Sequence, residues 1–218
     1  TPTRTDSVRR LTANCEVTGT DKAASAAVIK EESPTKSKGS PSKLTASDVR
    51  AAVKEAAQGT AKGKVGYAAF KDKTSITPQL LETAAKEAKD ADRDIRLRFT
   101  TTDKEGKTLA TLTLNPAKAK SSAKDLYTKI SLDSAKATAA KRAFDKVYTN
   151  KSAVLQTTHS GAFGSTVQIA ATVDLSGMDT DDLTFYLYNS AKNSFSLLKV
   201  ANVKVDKNGF LRFSTTQG

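Results

Sequence analysis

The sequence predicts an α+β fold, in which antiparallel, sandwich-like β-sheet layers carry about three helices and follow a flexible N-terminal tail. Three observations predict it. Residues 152–216 read as five or six consecutive strands separated by turn signals. Three apolar stripes at helical spacing, each behind a capping residue, lie between residues 44 and 148. Residues 1–43 are rich in Thr, Ser, Ala, Lys and Pro and show little periodicity.

The tail ends in a low-complexity linker around Pro34, Gly39 and Pro41. Before it, Cys15-Glu-Val17 and Ala26-Ala-Val-Ile29 are two weak apolar patches. Each reads equally as disorder or as a short strand or helix docked on the domain. A further reading makes one of them a donor strand for a neighbouring subunit's sheet edge, which would make the tail the working part.

Order is expected to begin at Leu44. Thr45-Ala-Ser-Asp48 approximates a capping box, Leu44 and Val49 form a hydrophobic staple, and Val49, Ala52, Val53 and Ala56 make a stripe. This predicts a first helix from Ser47 to Gln58 and then a strand over Lys64–Lys71. The second helix has Ile76 as staple, Thr77 as N-cap and Pro78 at its first position, with Leu80, Leu81, Ala84 and Ala88 on one face. Ile95, Leu97 and Phe99 alternate with Arg96 and Arg98. Asp103-Lys-Glu-Gly106 then turns that strand into Leu109–Leu114, and Asn115-Pro116 ends the hairpin. Leu126–Leu132 alternates as a strand, although Leu126 and Ile130 also fit a helix. Ala137, Ala140, Phe144 and Val147 predict the third helix, with Asp133 or Ser134 as its cap.

From Ser160-Gly-Ala-Phe-Gly164, Val167-Gln-Ile169 and Ala171-Thr-Val173 continue the alternation. Leu183–Tyr188, Phe195–Val200, Val203–Val205 and Phe210–Phe213 complete an antiparallel meander. Asp206-Lys-Asn-Gly209 is a hairpin turn of the same Asp-Lys-x-Gly form as the one at 103–106, which fits either a faint duplication or convergent turn chemistry. The chain therefore divides into a tail (1–43), an α+β half (44–150) and a β-meander half (151–218) packed on the first.

The stretches Gly161-Ala-Phe-Gly164, Asp174-Leu-Ser-Gly177, Leu183–Asn189 and Val205–Phe213 resemble a β-rich, non-catalytic module of secreted and cell-surface proteins of Gram-positive gut anaerobes, of the cellulosome-type scaffold or adhesion kind. The likeness covers the last third of the chain and, more loosely, Val65 to Leu114. Its motifs are turns and core alternation, so it carries over no functional residue. It implies an extracellular or cell-surface setting, a role in adhesion, spacing or assembly, and polysaccharide or other surface-protein modules as partners. It also implies one more strand after the final hairpin, beyond Gly218 or from a partner. A first residue other than Met fits a processed, secreted chain.

The 218 residues carry a formal net charge of +12 and no Trp. A basic surface attracts polyanions. The lysines are nevertheless scattered along every segment, as on an ordinary solvated surface, which argues against nucleic acid. One cysteine, Cys15, excludes an internal disulfide. No stretch approaches the length of a membrane span.

Little here supports catalysis, and no cofactor or metal is expected. His159 is the only histidine, and the neighbouring Ser160 would point to the opposite face of a strand. Cys15 has no fixed basic neighbour to activate it. Asp174, Asp179, Asp181 and Asp182 lack the order of a calcium loop and read as turn and capping residues. Gly161-Ala-Phe-Gly164 lacks phosphate-loop spacing.

Two binding surfaces are expected. Tyr186 and Tyr188, neighboured by Phe210 and Arg212 across the hairpins, could hold a sugar chain, their rings giving apolar area and their hydroxyls orientation; the same tyrosines equally suit the inside of a layer. A polyanion surface would use Arg96 and Arg98 with the helix residues Lys136, Lys141, Arg142 and Lys146. The sequence thus points to a non-catalytic adhesion or scaffold module that binds polysaccharide. The alternatives are a polyanion binder, or a subunit of a surface fibre assembled into oligomers through the N-terminal tail.

Overall fold

The computed structural model describes residues 10–13, 43–119 and 124–218. Cys15, both apolar patches and the Pro-rich linker lie outside the described residues. Among the described residues the fold is α+β, with three helices, a six-stranded mixed sheet, a four-stranded sheet and two short ribbons.

Helix α1 (Ala46–Gln58) starts as the sequence predicts. The Asp48 amide donates to Thr45 Oγ1 and the Thr45 amide to Asp48 Oδ2, both at 3.1 Å. Such a cap contributes about 1 kcal/mol. In α2 (Pro78–Asp90) the Leu80 amide donates to Thr77 Oγ1 at 3.2 Å. In α3 (Ala135–Val147) the cap is Ser134, whose hydroxyl accepts from the Ala137 amide.

Strands β2 (Val65–Lys71), β4 (Asp94–Thr102), β5 (Thr108–Leu114), β10 (Ala162–Ala171), β13 (Ala201–Val205) and β14 (Leu211–Gln217) form the large sheet, in the order β13-β14-β10-β5-β4-β2. This sheet is not wholly antiparallel. The chain returns from β2 through α2 and lays β4 parallel to β2, because a helical crossover reverses direction twice. Three strands come from each predicted half, joined through β5 and β10. The halves therefore share one sheet instead of stacking as two bodies.

The predicted meander divides between two sheets. Strands β11 (Thr184–Asn189) and β12 (Ser194–Leu197) leave the large sheet and join β1 (Arg10–Ala13) and β8 (Ser152–Ala153), in the order β12-β11-β1-β8. Strand β1 runs parallel to both neighbours, with Leu11 opposite Phe185 on one side and Ala153 on the other. The region expected as one strand at 126–132 is two short strands, β6 (Leu126–Tyr127) and β7 (Ile130–Ser131). They pair with β3 (Ser75–Ile76) and β9 (Gln156–Thr157).

Register fixes two opposite characters on the large sheet. Phe70, Phe99, Leu112, Ile169 and Phe213 follow one another across five strands. They are buried with Val49, Val53 and Ala84 of α1 and α2 in one core. Phe185 of β11 meets Phe213 at 4.9 Å, which places the second sheet on this same face. Burial of each such aromatic side chain contributes about 2 kcal/mol. The neighbouring rows belong to the other face and are polar: Lys71, Thr100, Thr111, Ala170 and Arg212 form one, and Ala69, Arg98, Thr113, Gln168 and Ser214 the next.

Candidate binding surfaces

The structure does not bring the four residues of the expected carbohydrate surface together. Tyr186 and Tyr188 lie on the face of β11 turned toward α3. Tyr186 sits 5.8 Å from Phe144 and 5.7 Å from Tyr148, while Tyr188 stacks on Phe195 at 4.9 Å. Tyr188 is only 8% exposed, and its hydroxyl donates to Asn193 Oδ1 at 2.9 Å. Phe210 and Arg212 belong to the polar face of the large sheet, beyond the core. Both are buried, with the guanidinium carbon 5.6 Å from the Phe210 ring centroid. The tyrosine alternation, which marks a strand with two different faces, is satisfied by α3 on one side and the main core on the other.

The polyanion residues are also divided. Arg96 and Arg98 point to the polar face of the large sheet. Arg96 is held in a two-point contact with its neighbour Asp94, both nitrogens at 3.1 Å. Arg98 is fully buried, 4.5 Å from the Tyr67 ring centroid. Lys141 and Arg142 are on α3, past the second sheet. Lys141 Nζ contacts Asp145 at 3.0 Å and Ser152 Oγ at 3.2 Å, whereas Arg142 is exposed.

A basic groove of about 940 Å³ that sequence spacing did not single out lies at the N-terminal end of β4. Lys62, Lys86, Lys89, Arg93, Arg96 and Lys118 line it, against the acids Asp92 and Asp94. Lys62 pairs with Asp92 at 2.8 Å, and this contact holds the Asp92 carboxyl below its ordinary value. Lys86 is tied to Asp90 at 2.8 Å, which raises its ammonium above the usual lysine value. Arg93 donates to the carbonyls of Thr60 and Asp92 at 2.9 and 2.8 Å, so it both closes α2 and faces the groove. Only the fold unites these positions, since they come from four separate segments between 62 and 118.

His159 has a structural place. Its Nδ1 accepts from the Tyr127 amide at 3.2 Å, its Nε2 faces the Ala162 carbonyl at 2.9 Å, and its ring stacks on Phe163 at 4.7 Å. Asp174 accepts the Ser176 hydroxyl and amide, contacts that lower its carboxyl, and Asp179 accepts the Asp181 amide at 3.1 Å. Among the described residues, no group of three or more His, Cys, Asp or Glu is placed to hold a metal ion. No described helix is long and apolar enough to cross a membrane.

No protein-family model, curated protein or solved structure matches the chain.

Proposed function

We propose that this chain is a non-catalytic scaffold or adhesion module of the cell surface, and that it assembles with further copies by exchanging its N-terminal strand. The observation that carries this reading is the position of β1. Four residues from the N-terminal region occupy the interior of a sheet, all four paired with β11 on one side and Arg10 and Leu11 also with β8 on the other, and residues 14–42 separate them from the rest of the described fold. Backbone pairing of this kind is the same whichever copy supplies the strand, which makes exchange between identical chains a low-cost route to assembly. A connection that long closes on itself with an effective concentration in the millimolar range. Exchange is therefore favoured where copies are crowded, as on a surface.

Light scattering across a concentration series tests the proposal. The full chain should form dimers or longer species at high concentration, and Leu11→Pro, which removes a backbone donor from β1, should abolish them. A monomer at every concentration, with or without that substitution, would end the assembly reading.

The basic groove favours a second reading, binding of an anionic polymer. Retention on heparin or polyphosphate that falls steeply between low and physiological salt, and is lost in Lys89→Glu/Lys118→Glu, is the expected result. Salt-independent retention on cellulose, starch or xylan would instead favour the polysaccharide version.

A further inference from the structure

The basic groove at the N-terminal end of β4 adjoins a second hollow of about 350 Å³ on the large sheet. Arg96, Asn115 and Lys118 line both, so the two meet at these residues. The fold accounts for the opening. Strand β5 ends at Leu114, and the chain turns at Asn115-Pro116. Strand β10 pairs with β5 only from Val167 onward and is bulged against β14 between Ala162 and Val167. The residues before Val167 therefore run on past the end of β5, and a bulge there re-aims side chains.

The two parts differ in chemistry. In the groove, Lys62, Lys86 and Arg96 are answered by Asp92, Asp90 and Asp94. Lys89, Arg93 and Lys118 form no ion pair among the described residues, Arg93 being bound to backbone carbonyls. Apart from Arg96 and Lys118, the polar side chains of the second hollow are neutral hydroxyls and amides, and among them Thr166 is exposed and Gln168 half-buried. No described residue lining either part is aromatic, so neither a nucleic-acid base nor a neutral sugar ring finds a surface to stack on. Affinity must come from charge and hydrogen bonds. The first turn of a helix, where backbone amides gather around a phosphate, is also absent from the described lining; the groove lies instead at the end of α2, which presents carbonyls. Those carbonyls and the carboxylates of Asp92 and Asp94 accept hydroxyl donors, which a polyphosphate lacks.

We propose that the joined groove binds an acidic polysaccharide of the polyuronate class, with its carboxylates at Lys89, Arg93 and Lys118 and its hydroxyls at Thr166 and Gln168. A polyuronate carries single charges spaced along a chain with hydroxyls between them, which answers both parts of the groove. This inference rests on the anionic-polymer reading and names the polymer; it does not depend on strand exchange.

Calorimetric titration of the full chain at low salt tests it, with oligogalacturonate, linear polyphosphate, oligothymidylate and polyglutamate matched in number of charges. Oligogalacturonate should bind at least tenfold tighter than each of the others, and its binding should weaken steeply at physiological salt. Its methyl ester, which keeps the hydroxyls and loses the charges, should not bind. Lys89→Glu/Lys118→Glu should abolish binding of oligogalacturonate. Thr166→Val/Gln168→Ala should weaken it at least fivefold and leave polyphosphate binding unchanged, with an unfolding midpoint equal to the parent's as the check that this variant folds. Polyphosphate or oligothymidylate bound as tightly as oligogalacturonate would overturn the inference and leave the anionic-polymer reading intact. Equal binding of polyglutamate, which has carboxylates without hydroxyls, would do the same, as would an unchanged affinity in Thr166→Val/Gln168→Ala. Equal binding of the methyl ester would overturn the inference, and binding of none of these polymers would end both.

Discussion

Asp206 and Arg212 form a buried ion pair, Oδ2 to Nε at 2.7 Å, across the base of the β13–β14 hairpin. The other carboxylate oxygen of Asp206 accepts the amides of Asn208 and Phe210 at 2.8 and 3.0 Å, which shapes the turn. One side chain therefore holds both the loop and a buried cation. Asp103 repeats the first half of this arrangement in the β4–β5 hairpin, accepting the amides of Glu105 and Lys107 at 2.9 and 2.8 Å. Gly106 and Gly209 both adopt φ +82°, a conformation that disfavours any residue with a Cβ.

The two hairpins allow a matched comparison. Asp103→Ala removes turn contacts at an exposed site and should cost about 1 kcal/mol. Asp206→Ala also strands Arg212 in the interior and should cost about 3–5 kcal/mol. Urea unfolding of the two variants measures the difference, and equal losses would show that the buried pair contributes nothing beyond the turn.

These hairpins also show what the sequence could and could not reveal. Turns and caps are local: Asp-Lys-x-Gly, Thr45 with Asp48, and Thr77 with Pro78 act through atoms within four residues, so their chemistry is legible in order. Which sheet a strand joins is set by long-range packing. The alternation of Phe185 with Tyr186 correctly marks a two-faced strand, but it cannot say that Phe185 will meet Phe213 while Tyr186 meets Phe144. Strand β1 escaped notice because Arg-Leu-Thr-Ala is too short to carry a period. The parallel pairing of β2 with β4 was likewise silent, since it follows from a crossover and not from any residue type. Arg98 and Arg212 read as the outward residues of alternating strands, and alternation does not tell a solvated face from a covered one.

Gly66 of β2 lies close against Thr60, in the loop that follows α1, and against Ile95 of the neighbouring strand β4. A Cβ there would stand 2.1 Å from Thr60 Oγ1 and 2.9 Å from Ile95 Cδ1. Neither neighbour can easily retreat, because the Thr60 hydroxyl is bound to the Ala56 carbonyl at 2.6 Å and Ile95 is buried. Gly66→Ala should therefore destabilise by about 1–3 kcal/mol. Thermal unfolding of Gly66→Ala alone and with Thr60→Ser checks the cause: the second change keeps the hydroxyl and should not rescue, whereas Thr60→Ala should recover part of the loss.

The aromatic cluster on α3 predicts a stability effect at the tyrosines. Phe144 stacks on Tyr148 at 4.2 Å and meets Phe195 edge-on at 5.3 Å, and Tyr186 closes the group. Phe144→Ala should cost about 3–5 kcal/mol, and Tyr188→Phe, which loses only the bond to Asn193, about 1 kcal/mol. Denaturant midpoints measure both. A Phe144→Ala chain as stable as the parent would mean that α3 is not anchored by this cluster.

His159 joins two distant pieces of backbone. Its ring accepts from the Tyr127 amide in β6 and faces the Ala162 carbonyl at the start of β10, while resting on Phe163. His159→Phe keeps the aromatic contact and removes both polar ones, so its effect isolates the hydrogen bonds. The expected loss is about 1–3 kcal/mol, since the Tyr127 amide and the Ala162 carbonyl lose their partner together. Hydrogen exchange gives the sharper readout, because the Tyr127 amide should exchange slowly in the parent and faster in His159→Phe, while amides of the β4–β5 hairpin stay unchanged. Uniform acceleration would mean global destabilisation instead. Unchanged exchange at Tyr127 would show that the histidine does not hold this strand.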